Sequence, residues 1–567
     1  PSSAPRTAPV AMARGRRQAL RQCATLTMHQ SRFLFRHWVF RSFAAMGVLL
    51  LAFMLHRVLS AEQVVMLPLT RLVLQLPAFF YLHLAALATF IFAGMLALRL
   101  RDAGMEPLIY ATATPTGALA GEQALRLRRA QLALLLLLMG AGIAVQGLHG
   151  HYHFELGRYL GTLGFFYAPG LWVWALLATG VFSLLRHLYA GLFLLLLAWL
   201  AQFGYEHLGI STRLLQFNTY GLLRLSDFHG PGPAGAGRMV LQAYWLVGGL
   251  LILYLAYLAW PRAYAAGIRE RWAVAKQRVR ANRLLPGLLL AGLAGLAVVI
   301  YRAESRSFAP PEKQATLQAF RARYGHLQNL PQPSIASVRL QMNIFPEQNA
   351  FRASGAYQLV NRTPEPIDTV LVRASMDEVT TFTIGAASTL ADTFPGLNFS
   401  LHRLQAPLMP GDTLAFAFTL ASRPNTLFQQ NNGVLANGTF LTQDILPRIG
   451  YFLRTELPDP RRPDIPNQHY QAWDSELVNF EATVSTSAGQ VAFANGERVA
   501  QWQAQGRHYF TYRAPTPIKF NFYFNSGVYH LYTTRWEGIP IKIYHLPAHR
   551  HNLASIAGGI QAALTYN

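Results

Sequence analysis

Cysteine is nearly absent from this 567-residue chain. Cys23 stands alone, so neither an intrachain disulfide nor a thiolate metal cluster can form. Its place beside Arg21, ahead of the first apolar run, reads as an inert cytoplasmic thiol. Lysine is scarce as well. None of the four (Lys276, Lys313, Lys519, Lys542) follows a glycine, which excludes the G-x-x-x-x-G-K-[ST] loop that cradles nucleotide phosphates. No His-Glu dipeptide occurs, so the H-E-x-x-H zinc motif is missing too.

Acidic residues are few: 49 Lys and Arg face 26 Asp and Glu. The imbalance sits in the first 304 residues, with 28 basic against 9 acidic side chains; the remainder carries 21 against 17. Those arginines lie between apolar runs, not on a face interleaved with exposed aromatics, so nucleic acid is not the implied partner. The lipid bilayer is.

Seven apolar runs predict crossings at Phe40–Val58, Leu76–Leu98, Ala130–Leu148, Leu160–Leu185, Leu188–Phe203, Val240–Trp260 and Leu284–Tyr301. A hydrocarbon layer of ~30 Å asks for about 20 apolar residues, and the first and fifth runs are short. Segment 1–41 holds eight arginines. Loop 99–129 holds Arg99, Arg101, Arg126, Arg128 and Arg129, and loop 261–283 holds Arg262, Arg269, Arg271, Lys276, Arg278, Arg280 and Arg283. Loops 149–159 and 204–239 are poorer. The positive-inside rule then expects a multi-pass inner-membrane protein with a cytoplasmic start and an exported C-terminal half. Segment 1–38 is expected to be cytoplasmic or interfacial. Within it, Gln18–Arg36 is either an amphipathic helix on the inner leaflet or an extension of the first crossing.

The predicted crossings have no Asp, Glu, Lys or Arg near their centres, and gradient-driven transport usually needs such groups. His83 is the one central titratable side chain; a lone histidine there is more often a helix-packing residue. The loop Leu98-Arg-Leu-Arg-Asp-Ala-Gly-Met-Glu106, continuing to Ala113-Thr-Pro115, resembles the coupling segment of ABC-type exporter permeases. That resemblance implies a separate ATP-binding subunit docking at Arg99, Arg101, Asp102 and Glu106. The alternative is a solvated basic loop. Arg186-His187 matches the tight inner hairpin of such permeases. Outside, His149, His151, His153 and Glu155 would share one face if extended and form a candidate metal set; interfacial anchoring is the competing reading.

From 303 to 334 the chain reads as a helix-bearing linker. Strict alternation then begins at Val338-Arg-Leu-Gln-Met342-Asn-Ile344. Further strands are expected at 351–361, 367–373, 380–385, 398–403, 413–420, 477–485, 490–493, 508–512, 518–525, 528–534 and 539–544. The expected fold class is thus a multidomain membrane protein: a transmembrane α-helical bundle of about seven helices over 39–302, then an all-β sandwich or saddle over 335–549. Trp473, Trp502 and Trp536 are expected in its core. Asp459, Arg461, Arg462 and Asp464 form a salt-linked cap or a contact with another domain. Asn361-Arg-Thr and Asn437-Gly-Thr match the glycosylation acceptor pattern, a short match without weight alone.

Several runs in that half carry a family resemblance: Ala353-Ser-Gly-Ala-Tyr-Gln-Leu-Val-Asn-Arg-Thr-Pro-Glu-Pro366, Leu408-Met-Pro-Gly-Asp412, Asn437-Gly-Thr-Phe440, Pro447-Arg-Ile-Gly-Tyr451, Phe480–Thr486 and Tyr544-His-Leu-Pro-Ala-His549. In this order they resemble the N-terminal β domain of alanyl-aminopeptidase-type zinc metallopeptidases. The whole chain resembles bacterial fusions of an ABC exporter permease with such a peptidase. The resemblance implies transport coupled to, or co-located with, peptide processing, and zinc in a catalytic domain downstream of this sequence. The expected start of the helix leading there is 550–567. The Gly-x-Met-Glu-Asn motif for the substrate amino terminus is absent, so no catalytic residue is carried over. Clustered His545, His549 and His551, interrupted by Pro547, read as a strand exit. Two alternatives stand beside the fusion: a membrane-anchored β module that binds a peptide or partner without catalysis, and a lipid or small-molecule permease with a structural β domain.

Overall fold

The computed structural model describes residues 16–60, 67–105, 108, 116–185, 187–205, 207–260, 268–305, 313–430, 432–451, 477–547, 549–550 and 552–566. The chain divides into two compact units, residues 1–225 with 234–306, and residues 226–233 with 307–567.

The first unit is helical. Helix α1 (Arg16–Arg36) ends one residue before α2 (Trp38–Leu59). Between them His37 is extended, and its Nδ1 accepts from the Val39 N–H at 3.2 Å. The imidazole thus satisfies one of the free donors at the start of α2, so α1 is a separate helix and not an extension of the first crossing. Next come α3 (Leu76–Asp102), α4 (Thr116–Leu148) and the span α5 (Leu156–Leu184). They are followed by α6 (Leu188–Ala201), α7 (Gly232–Ala259), α8 (Ile268–Ala281) and α9 (Leu284–Ser305). Among the described residues six helices are long and apolar enough to cross a membrane: α2, the stretch Thr70–Arg99 with most of α3, α4, α5, Gly235–Ala259 of α7, and α9.

The fifth predicted crossing is corrected. Helix α6 has 14 residues, about 21 Å at the helical rise, and cannot alone span ~30 Å. It still retraces the bundle. Leu188 at its start packs at Gly94, while Trp199 and Phe203 past its end stack on His83, so it runs antiparallel to α3. The backbone after it is non-helical and is tied to the bundle: Asn218 Nδ2 donates to the Gly170 carbonyl and Gln75 Nε2 to that of Leu225.

The third run also differs. Helix α4 starts 14 residues before the predicted Ala130, because no proline stands between Thr116 and Ala130 and the run is rich in Ala, Leu and Arg. The extension buries Glu122 and Arg126, paired at 2.6 Å one turn apart. At the same end of the bundle Arg278 of α8 donates to the carbonyls of Tyr257 (2.6 Å), Leu258 (3.1 Å) and Trp260 (3.0 Å), a cationic cap on the C-terminus of α7.

The second unit is built on strands β1 (Ser334–Phe345), β2 (Ala350–Val360), β3 (Ile367–Arg373), β4 (Glu378–Ile384), β5 (Ser388–Phe394), β6 (Phe399–Leu408), β7 (Thr413–Ser422) and β8 (Thr439–Thr442). They continue with β9 (Arg448–Ile449), β10 (Asn479–Ser487), β11 (Val491–Phe493), β12 (Glu497–Ala504), β13 (Arg507–Arg513), β14 (Tyr523–Gly527), β15 (His530–Trp536) and β16 (Ile539–His545). A seven-stranded sheet runs β12-β13-β10-β1-β2-β7-β4, with β1 and β10 parallel. A four-stranded sheet runs β5-β6-β3-β9, beside a three-stranded β11-β14-β8 and the hairpin β15-β16.

Alternation in β1 buries Val338, Leu340, Met342 and Ile344, as its pattern requires. Strands β5, β8, β9 and β12 were not anticipated. Three of them are short or exposed, and β12 is exposed along its whole length, with no apolar face to read. Trp502 lies on that edge, 43% exposed and stacked on Tyr509, so its predicted core place is wrong. The same motif closes two hairpins. Phe345-Pro-Glu-Gln-Asn349 and Phe394-Pro-Gly-Leu-Asn398 each make one tight turn that ends on a left-handed asparagine. Helix α10 (Lys313–Tyr324) seats Phe320 and Tyr324 on Leu371, Phe399 and Tyr451. Phe228, also in this unit, packs edge-on against Phe440 and Tyr529. Helix α11 (Leu553–Tyr566) ends the described chain.

Candidate functional site

Pro169 brings no N–H to the ladder of α5, and directly before it residues Thr162–Tyr167 widen into a π turn. Here the Phe166 carbonyl is turned to a neighbour. It accepts from Arg238 Nε at 3.2 Å and from Gln242 Nε2 at 2.6 Å, both on α7. Arg238 Nη1 also donates to the Gly221 carbonyl at 2.9 Å. The guanidinium lies 5.4 Å from the Tyr167 ring centre and 5.1 Å from that of Tyr220, within cation–π range. Gly170 makes room for this packing: a Cβ there would come 3.2 Å from the Tyr220 ring.

These groups wall a cavity of about 70 Å³, large enough for more than one water. Its apolar lining comes from Phe79, Leu82, Phe166, Leu171, Trp174 and Trp199. Its polar lining is His83, Gln202, Asn218, Tyr220 and Arg238, with no carboxylate. Three polar atoms of that lining are buried without a hydrogen-bond partner among the described residues: Gln202 Nε2, Asn218 Oδ1 and the Tyr220 hydroxyl. Asn218 is only 3% exposed. An unmet buried polar atom costs about 1–3 kcal/mol, so three around one cavity point to an occupant that meets them.

His83 lies at this cavity, with Nδ1 held by the Phe79 carbonyl at 2.9 Å and its ring against Phe79, Trp199 and Phe203. Arg238, Asn218, Tyr220 and Gln202 were not anticipated. The readable signal was Pro169 inside an apolar run; nothing local tied it to an arginine about 70 residues on.

Of the docking-loop residues, Arg99 holds its guanidinium 3.7 Å over the Phe33 ring, and Asp102 is exposed at the end of α3. Arg101 belongs to the same helix, while Glu106 lies outside the described residues, as do Arg186, His551, Trp473 and the predicted cap of Asp459, Arg461, Arg462 and Asp464. The segment carrying His151, His153 and Glu155 forms no strand. His149 Nδ1 lies 2.9 Å from the Val145 carbonyl, and Glu155 accepts from Arg158 at 2.9 Å. Among the described residues no three His, Cys, Asp or Glu side chains converge to hold a metal ion. His545 Nδ1 faces the Leu546 carbonyl, and His549 lies 3.8 Å from Asp227.

No family model and no curated protein matches the chain. Among solved structures it is weakly similar to an M1 zinc metallopeptidase from Deinococcus radiodurans, with 14% identity, a TM-score of 0.27, and coverage of 38% of this chain and 49% of that one. Aminopeptidase A from Legionella pneumophila matches with 11% identity and a TM-score of 0.27, over 38% of this chain and 24% of that one. The chain thus spans about half the length of the first and a quarter of the second. Likeness of this size carries no argument about activity.

Proposed function

We propose that the chain joins a permease-type helical bundle to the non-catalytic β module of a zinc aminopeptidase-type unit, with the β module on the outer side of the inner membrane. The observation that carries this reading is where the motifs of the β half fall. Ala353–Pro366 covers β2 and its exit turn, and Leu408–Asp412 is the turn between β6 and β7. Asn437–Phe440 enters β8, Pro447–Tyr451 holds β9, Phe480–Thr486 is β10, and Tyr544–His549 leaves β16. Motifs quoted in one order thus occupy the strands and corners that define the fold. The basic loops at both ends of the predicted inner face support the orientation.

In this reading a separate ATP-binding subunit docks at Arg99, Arg101, Asp102 and Glu106, and peptides meet the outer module. The purified chain, given aminoacyl chromogenic substrates, is expected to show no chelator-sensitive hydrolysis. Affinity purification from its native membrane is expected to bring an ATP-binding subunit that Arg99→Glu with Asp102→Arg releases. Chelator-sensitive turnover, or an unchanged co-purification profile in the variant, contradicts it.

A further inference from the structure

The cavity beside the π turn has a chemistry that neither transport nor peptide processing assigns. Its one charged group is Arg238, and no carboxylate lies within ion-pair distance of it among the described residues. Two of the guanidinium's nitrogens are committed to the Phe166 and Gly221 carbonyls; the second terminal nitrogen has no hydrogen bond among the described residues. Three more polar atoms of lining residues have no hydrogen bond among the described residues: Gln202 Nε2, a donor, Asn218 Oδ1, an acceptor, and the Tyr220 hydroxyl, which can serve as either. A fixed positive charge with neutral donors beside it and no carboxylate is the pattern that selects an oxyanion. The aromatic walls alone would suit a cation, but the arginine already lies against Tyr167 and Tyr220 and would repel one.

Phe79, Leu82 and Trp199 of the lining are half-buried and apolar, and beside them α6 carries exposed Leu196 and Leu200, with exposed Phe203 just past its end. A cavity of about 70 Å³ admits a headgroup and no more, so the rest of the ligand lies on that apolar surface. We propose that the helical unit binds a long-chain anionic amphiphile: its carboxylate or phosphate-type group seats on Arg238, Gln202 and Tyr220, and its hydrocarbon lies along α6. The site stands whether or not the bundle transports anything.

The test uses the full chain in nanodiscs of a zwitterionic lipid, photolabelled with a diazirine-bearing C16 fatty acid and mapped by peptide mass spectrometry. Labelling is expected within 79–86, 166–174 and 196–203. It should fall at least about tenfold for the methyl ester of the probe, the loss that one charge-assisted hydrogen bond implies. Arg238→Gln should lose as much, Arg238→Lys less, and Arg302→Gln nothing. Excess acetate and inorganic phosphate compete poorly if the chain contributes to binding; full competition by either at low millimolar would mean a free-anion site and overturn the amphiphile assignment. Equal labelling by acid and ester, or by a C16 trimethylammonium probe, overturns it on the wild-type protein, independent of whether Arg238→Gln folds.

Discussion

Asn361 shows how a residue of no apparent weight in the sequence can hold a corner of the fold. It is fully buried at the end of β2, where Nδ2 donates to the carbonyls of Glu365 and Leu408 (2.8 Å each) and Oδ1 accepts from the Thr363 N–H (2.9 Å) and hydroxyl (2.7 Å). As a glycosylation pattern it meant nothing; as a buried amide it ties three segments together. Asn361→Ala strands two carbonyls and a turn N–H, so a loss of about 2–4 kcal/mol is expected in denaturant melts of the chain. Glu378, at the start of the edge strand β4, is the second such residue. Burial lifts its carboxyl from the ordinary 4.5 to about 7, against a weaker opposing pull from the Ser375 hydrogen bond. The unfolded chain gives up this proton near pH 4.5, while the folded one keeps it to about pH 7. Stability from this group is therefore full below 4.5, falls as pH rises to 7, and then levels off, by roughly 3 kcal/mol in all. Glu378→Gln should flatten that part of the pH–stability curve; an unchanged slope would place the titration elsewhere.

At the scale of elements, β1 and β7 could be read because burial on one face leaves a period of two in the sequence. Strand β12 could not, since it is exposed along both faces. Helix α6 was found but misjudged in length, because its apolar run continues into backbone that stops being helical at Gln202. The candidate cavity was the least legible feature: its residues come from α3, α5, α6, α7 and the segment before α7, and only His83 stood out alone. Packing between helices rests on small residues that the sequence shows without their partners. A Cβ on Gly180 would sit 2.5 Å from Ile252 Cγ2, so Gly180→Leu should push α5 from α7 and cost about 1–3 kcal/mol in unfolding from detergent. Arg278→Ala uncaps three carbonyls at the end of α7; a loss of about 1–2 kcal/mol is expected, with Arg278→Lys recovering part of it.

For the molecule as a whole, the account turns on α6 and the backbone after it. If this short pass takes the chain across the membrane, the 185–187 turn and the β unit lie on opposite sides; if it does not, they share one. The direct measurement is labelling of single cysteines in intact and permeabilised cells with an impermeant maleimide, feasible because Cys23 is the sole native thiol and is buried. In a Cys23→Ser background, His151→Cys and Glu365→Cys should label in intact cells, and Asp102→Cys and His187→Cys only after permeabilisation. Labelling of Glu365→Cys only after permeabilisation, or of His187→Cys in intact cells, would contradict the account.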